Sequence, residues 1–347
     1  MQSAPTTADL RGIDNVGDGV VWASGSGGTV LHSVDGGKTW LRCATPPDAE
    51  TLDFRGVQAF DAKTAIVMSS GTGDLSRLYT TSDGCASWTL VFTNPDKDGF
   101  FDAFSLERSV GIMLGDPVRG HFRTWLLADQ GKAFANPTGH TQARAKPGEG
   151  AFAASNSSLF VEDGFFTFWF GTGGPHGARI IRRTNHDFDD FGYDTYREVK
   201  VPVGSKTASS GVFSLEFRPS NLKPRSHENS YMIGVAVGGD YKEPNGSERV
   251  AVCTGDGGDH WSTAATQPHG YRSAVAYDPA TKSWITVGPN GTDVSTDDGR
   301  NWRALRPAAG DAPDADKNWN ALSLPFVVGP KGRIGVLNSD ALKVATK

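Results

Sequence analysis

The chain is poor in cysteine. Only Cys43, Cys85 and Cys253 occur in 347 residues, with no Cys-x-x-Cys spacing. That excludes a zinc ribbon or a disulfide-built scaffold, and the odd count leaves at least one thiol unpaired within the chain. Long apolar runs are also missing: the strongest, Phe165 to Phe170, is strand-sized and far short of the roughly 18 residues of a membrane span. Positive charge has no excess, with 34 Lys and Arg against 39 Asp and Glu for a net of −5. Nothing there would hold a polyphosphate backbone, so nucleic acid is not an expected partner. The eight His are dispersed, without HExxH or His-x-His, and no metal or cofactor is expected. No stretch shows a 3.6-residue apolar period, so the chain should be all-β. The start, Met1-Gln-Ser-Ala-Pro-Thr-Thr, lacks the apolar core of a signal peptide. It reads as a mature N-terminus behind an initiator Met, and the expected location is exported, periplasmic or extracellular.

What the chain has is glycine and aromatics: 43 Gly, 19 Phe and 9 Trp, where glycine ordinarily makes up roughly 7%. An eight-residue pattern, Ser/Thr-x-Asp-x-Gly-x-x-Trp, organises them. It occurs at Ser33, Asp35, Gly37 and Trp40, and at Thr81, Asp83 and Trp88 with Cys85 in the Gly place. It returns at Thr254, Asp256, Gly258 and Trp261, and at Ser295, Asp297, Gly299 and Trp302. A worn copy keeps Asp129, Gly131 and Phe134. The pattern is a turn: Ser or Thr ends a strand, Asp folds back onto backbone N–H groups, and Gly supplies a positive φ. The Trp should open the next strand and pack inward between sheets. Cys85, in a rim turn, is expected to be exposed and oxidisable.

A second repeat precedes each turn. Leu10-Arg11-Gly12-Ile13 resembles Phe54-Arg55-Gly56-Val57 and, more loosely, Tyr271-Arg272-Ser273-Ala274-Val275. Related starts are Phe101-Asp102, Ala151-Phe152-Ala153, Gly211-Val212-Phe213 and Trp319-Asn320. Seven starts mean seven four-stranded units, and a ring of such units is a β-propeller. The expected blades are 9–45, 52–94, 99–137, 148–203, 209–266, 269–307 and 318–347. The last has room for three strands, so residues 2–8 should supply its outer strand and close the ring as one domain.

These residues resemble a known group. The turns are similar to Asp-boxes, the bacterial neuraminidase repeat of sialidases and of many non-enzymatic propellers. The fuller phrase from Leu10 to Trp40 resembles the photosystem II stability and assembly factor-like propellers, whose bacterial relatives often carry the label oxidoreductase. The resemblance implies that the box turns join third and fourth strands on one rim. The loops entering the first strands, and those between second and third, would then form the ligand-binding top face. It also implies an arginine patch that engages a protein client.

The candidates for that face are Arg11, Arg55, Asp102, Glu149, Arg272 and Asn320 at the first-strand starts. Converging guanidiniums suit a carboxylate or phosphate, against the plainer reading that each Arg pairs with a nearby acid. The loops after the second strands add Asp116, His176, Asp240 and Tyr241, although Gly-Asp turn chemistry alone explains Asp116 and Asp240. A sialidase would need an Arg triad and a Tyr activated by Glu. The Arg-Ile-Pro motif is absent, and Tyr271 is the nearest Tyr. The glycines of Ser24-Gly25-Ser26-Gly27-Gly28 precede no helix, so the chain carries no dinucleotide fingerprint. Asp187 to Asp194 forms an acidic turn whose spacing fails the EF-hand pattern, and it reads as solvated rather than calcium-binding. The expected function is non-catalytic binding of a protein or peptide client, anionic by this reading, by a monomer. A sialidase-like glycoside hydrolase and a purely structural ring are the alternatives.

Overall fold

The computed structural model describes residues 1–107, 110–128, 131, 133–135, 142–162, 167–184, 195–220 and 232–342. Seven antiparallel sheets follow one another in chain order, six of four strands and a last of three. Their first strands are Leu10–Gly17, Phe54–Ala59, Phe101–Glu107, Leu159–Val161, Ser210–Pro219, Ala274–Asp278 and Ala321–Ser323. These touch from blade to blade round the ring, the seventh against the first. The fold is a seven-bladed β-propeller. Residues 2–8 do not form the expected outer strand: blade seven keeps three strands, and the chain start is joined to it by a single bridge, Gln2 N–H to the Ile334 carbonyl at 2.9 Å, and by Gly332 N–H to Ala8 O at 2.7 Å. Ala4 packs there against the core that blades one and seven share.

The repeated turns join third and fourth strands, as in Thr29–Ser33 to Leu41–Arg42. Asp297 shows how each is held. Its carboxylate accepts from Ser295 Oγ at 2.8 Å, Asn301 N at 2.9 Å and Asn301 Nδ2 at 2.8 Å, while Gly299 N–H donates to Ser295 Oγ at 3.0 Å. Asp35, Asp83 and Asp256 repeat the arrangement. The Trp side chains then pack onto the preceding blade: Trp88 meets Trp22 edge to face, and Trp261 meets Phe217 likewise within a core that includes Trp169 of blade four. The fifth position of the motif, its glycine place, faces the same way. A Cβ at Gly37 would meet Phe326, at Gly131 Ile66, and at Gly299 Val235, each on the blade before.

That geometry corrects the reading of Cys85. It occupies the glycine place with φ +68, is buried, and forms a disulfide with Cys43 at the end of blade one. A side chain there points at the previous blade instead of at solvent. Cys253 is the buried free thiol, and burial pushes its pKa up.

Blade four also departs from expectation. Ala151 to Ala153 are not its first strand. They lead into a 3₁₀ turn at Asn156–Ser158, and the strand is Leu159–Val161. This leading segment ties several blades together. Asn156 Oδ1 accepts from Phe104 N at 3.0 Å, Ser157 Oγ meets Ser214 Oγ at 2.7 Å, and Ser214 Oγ accepts from Val275 N at 2.9 Å. Asp129 and the turn from Asp187 to Asp194 lie outside the described residues.

Candidate functional site at the mouth of the ring

The first strands of four blades carry an irregularity at one place. Register shifts fall between Leu10 and Gly12, Phe54 and Gly56, Phe101 and Ala103, and Val212 and Ser214. The extra residues are Arg11, Arg55, Asp102 and Phe213. A bulge re-aims its side chain out of the ladder, and here it sets equivalent residues at the mouth of the ring.

Blades one to three supply charge. Arg11 and Arg55 are half-buried and share Asp53, with Nε to Oδ2 distances of 3.2 and 2.9 Å. Arg55 also donates to the Ala153 carbonyl at 3.1 Å. Their hydrogen-bonding capacity is not used up: Arg11 Nε and Asp53 Oδ1 are buried without a hydrogen bond. Asp102 is buried beside them. Burial and then the neighbouring Asp116 push its pKa well up, with Arg55 pulling the other way. Asp116 is itself raised to about 6 by burial, against the hydrogen bond from Ala151 N at 3.0 Å.

Blades four to six supply rings. Phe152 stacks on Phe213 with centroids 4.0 Å apart, and Tyr271 meets Phe213 edge-on at 4.8 Å. Half-exposed Tyr241 stands at the rim, 6.2 Å from Phe213. Phe152 lies over Gly173 and Gly211, where a Cβ would come within 2.7 Å of its ring. Burial and then Tyr241 push the Tyr271 phenol up, while the charges of Arg11 and Arg55 pull it down, so the charged and aromatic groups act on one another. Asn320 of blade seven closes the circle, its Nδ2 donating to the Leu10 carbonyl at 2.8 Å.

Two expected mouth residues are elsewhere. Arg272 is fully buried, paired to the equally buried Asp293 through Nε at 2.9 Å and through Nη2, and bonded to Asn290 Oδ1 at 2.6 Å. Blade six presents Tyr271 instead, one residue earlier. Glu149 is buried in a fork with Arg179 and accepts from Thr172 Oγ1 at 2.7 Å. Burial raises its pKa, but the bonds from Arg179, Lys146 N and Thr172 outweigh that and leave it lowered. Phe152 takes its place at the mouth. Sequence reasoning missed Phe152, Phe213 and the Arg179 pair, because an aromatic in a strand reads as core and an ion pair between distant residues has no local pattern.

Among the loop residues, Asp240 holds its own turn, accepting from Ser205 Oγ, Thr207 Oγ1 and Lys242 N at 2.9, 2.6 and 3.0 Å. Burial opposes its ionisation, but these bonds prevail and lower its pKa to about 2. His176 is exposed on the blade-four turn. The glycines after Ser24 lie in the hairpin between Val20–Gly25 and Thr29–Ser33. Among the described residues no His, Cys, Asp and Glu cluster could hold a metal ion, and no helix is long and apolar enough to cross a membrane.

No protein-family model matches the chain, and no curated protein sequence does. Its fold is similar to solved structures. One, "YCF48 bound to D1 peptide", has a TM-score of 0.56 at 16% identity over 96% of this chain and 94% of that one. YCF48 from Cyanidioschyzon merolae has a TM-score of 0.55 at 16% identity, covering 96% of each. The WD40 propeller domain of Doa1 follows at 0.54 and 11%, covering 95% and 93%.

Proposed function

We propose that this propeller is a non-catalytic binding platform whose mouth captures an extended segment of a protein or peptide client. The observation that carries this is the divided mouth, with two arginines and buried carboxylates across from Phe152, Phe213 and Tyr271. Arg11 and Arg55 bring two positive charges to one shared carboxylate and would fork a client's acidic side chain or terminal carboxylate. The aromatic half would seat an adjoining apolar side chain. The similar YCF48 fold with a D1 peptide bound supports a peptide as the ligand. The Cys43–Cys85 disulfide supports an exported protein working in an oxidising compartment.

Fluorescence anisotropy with labelled peptides tests the reading, using a D1 peptide and a panel pairing an acidic with an apolar residue. Charge-assisted bonds contribute about 1.5–3 kcal/mol each, so Arg11→Ala with Arg55→Ala should weaken binding at least about tenfold while melting stays close to wild type. Arg272→Ala should do the reverse. It strands the buried Asp293 carboxylate, which costs about 3–5 kcal/mol of stability. Equal binding by the Arg11/Arg55 variant would remove the arginines from the function. Turnover of sialosides or aryl glycosides that the same variant loses would make the protein a hydrolase.

A further inference from the structure

Between blades three and four lies a cavity of about 850 Å³, lined by Pro117, Arg119, His121, Arg144, Lys146, Glu149, Arg179 and Glu198 among others. Its wall is built by a tight two-residue hairpin. Val110–Val118 and His121–Ala128 pair as far as Val118 and His121, leaving only Arg119 and Gly120 in the turn. Both have positive φ, +54 and +81. The strand returning toward blade four lies alongside the hairpin tip: Arg144 bridges His121, and Ala145 N–H donates to Gly120 O at 2.9 Å. Arg119, His121, Arg144 and Lys146 are thereby gathered on one ladder.

The charges at this cavity do not balance. Arg179 at its floor is matched by Glu149 and Glu198. Arg119, Arg144 and Lys146 have no acidic partner among the described residues, and the first two are exposed. Evolving toward a plain hairpin would favour Asn or Gly at a left-handed turn position, yet this one holds a long cation over a cavity. The volume falls within the roughly 300–1,000 Å³ of small-ligand sites. We propose that the cavity is a second binding site, separate from the mouth, for a small organic or inorganic anion of two or more negative charges. Arg119 and Arg144 clamp it from the hairpin and the returning strand, and Lys146 adds charge from the rim.

Calorimetric titration of the full chain at low salt with pyrophosphate, citrate and acetate tests this, the first two distinguishing a phosphate from a carboxylate ligand. Pyrophosphate or citrate should bind, and acetate at least tenfold more weakly. Arg119→Gly suits the left-handed backbone and leaves the turn intact, and Arg144→Ser changes an exposed side chain. The two together should weaken binding at least tenfold with melting unchanged. Arg11→Ala with Arg55→Ala should leave it as in wild type. Absence of binding by both polyanions, equal binding by the Arg119/Arg144 variant, or loss on changing Arg11 and Arg55 would each overturn the second site.

Discussion

The carboxylates fall into two groups whose environments push them in opposite directions. Asp14 and Asp116 are raised to about 6, in both cases first by burial, and Asp102 lies well above the usual 3.8. In each the folded chain holds its proton more tightly than the unfolded chain. Their contribution to stability is therefore full at low pH, and for Asp14 and Asp116 it fades as pH rises from about 4 through 6. Asp35 and Asp83 are lowered to about 2 by their turn hydrogen bonds, and Asp240 by bonds that outweigh its burial. Their contribution is present above 3.8 and disappears as pH falls toward 2. From these groups stability should be greatest near about pH 4 and fall as pH rises toward 6 and beyond. Urea denaturation at pH 5 and 8 should show wild type weaker at pH 8, and Asp116→Asn should remove part of that loss, up to about 1.4 kcal/mol. A wild-type chain more stable at pH 8 than at pH 5 would contradict the burial argument. The same scale shows why residue type alone misassigned Arg272. Arg11 and Arg272 occupy matching places in the repeat, but only a neighbour's coordinates reveal that Asp293 waits beside one of them.

At the scale of the element, the eight-residue turn was legible because its bonds are local. Ser or Thr, Asp and Gly lie within four residues of the groups they satisfy, so composition and spacing carry the geometry. Asp297→Ala removes three accepted bonds and should cost about 1–3 kcal/mol, measured by denaturant unfolding. An unchanged midpoint would mean that Ser295 and the backbone hold the turn alone. The bulges of the first strands were legible only as a repeated phrase. Arg11-Gly12 and Arg55-Gly56 share it, whereas Phe213 and Asp102 reach the same structural place with different residues. A bulge is set by what the partner strand leaves unpaired, which no single strand's sequence records. The start of the blade-four lead, Ala151 to Ala153, looked like a strand because it is short and apolar. It is instead held by bonds to three other blades.

For the whole molecule, ring closure and the disulfide are the long-range restraints. Cys43–Cys85 encloses a sequence separation of 42, for which chain entropy predicts about 4 kcal/mol of stabilisation. Cys43→Ser with Cys85→Ser should lose about that much in thermal or chemical unfolding. Cys43→Ser with Cys85→Gly should lose less, because Gly suits φ +68 and restores the motif. If the two variants unfold alike, the left-handed position carries no strain of its own. The inter-blade contact of every motif position makes the bond intelligible: Cys85 uses for a covalent link the spot where its equivalents meet Phe326, Ile66 and Val235.

By itself the sequence determined the blade count and the turn chemistry, since repeated local patterns set each. Only the tertiary structure decided which side chains share the mouth, that Arg272 and Glu149 are sequestered in buried ion pairs, and that Cys85 has a partner. Those outcomes depend on contacts between residues tens to hundreds of positions apart, and a ring brings such residues together by symmetry of packing, leaving no periodic trace in the chain.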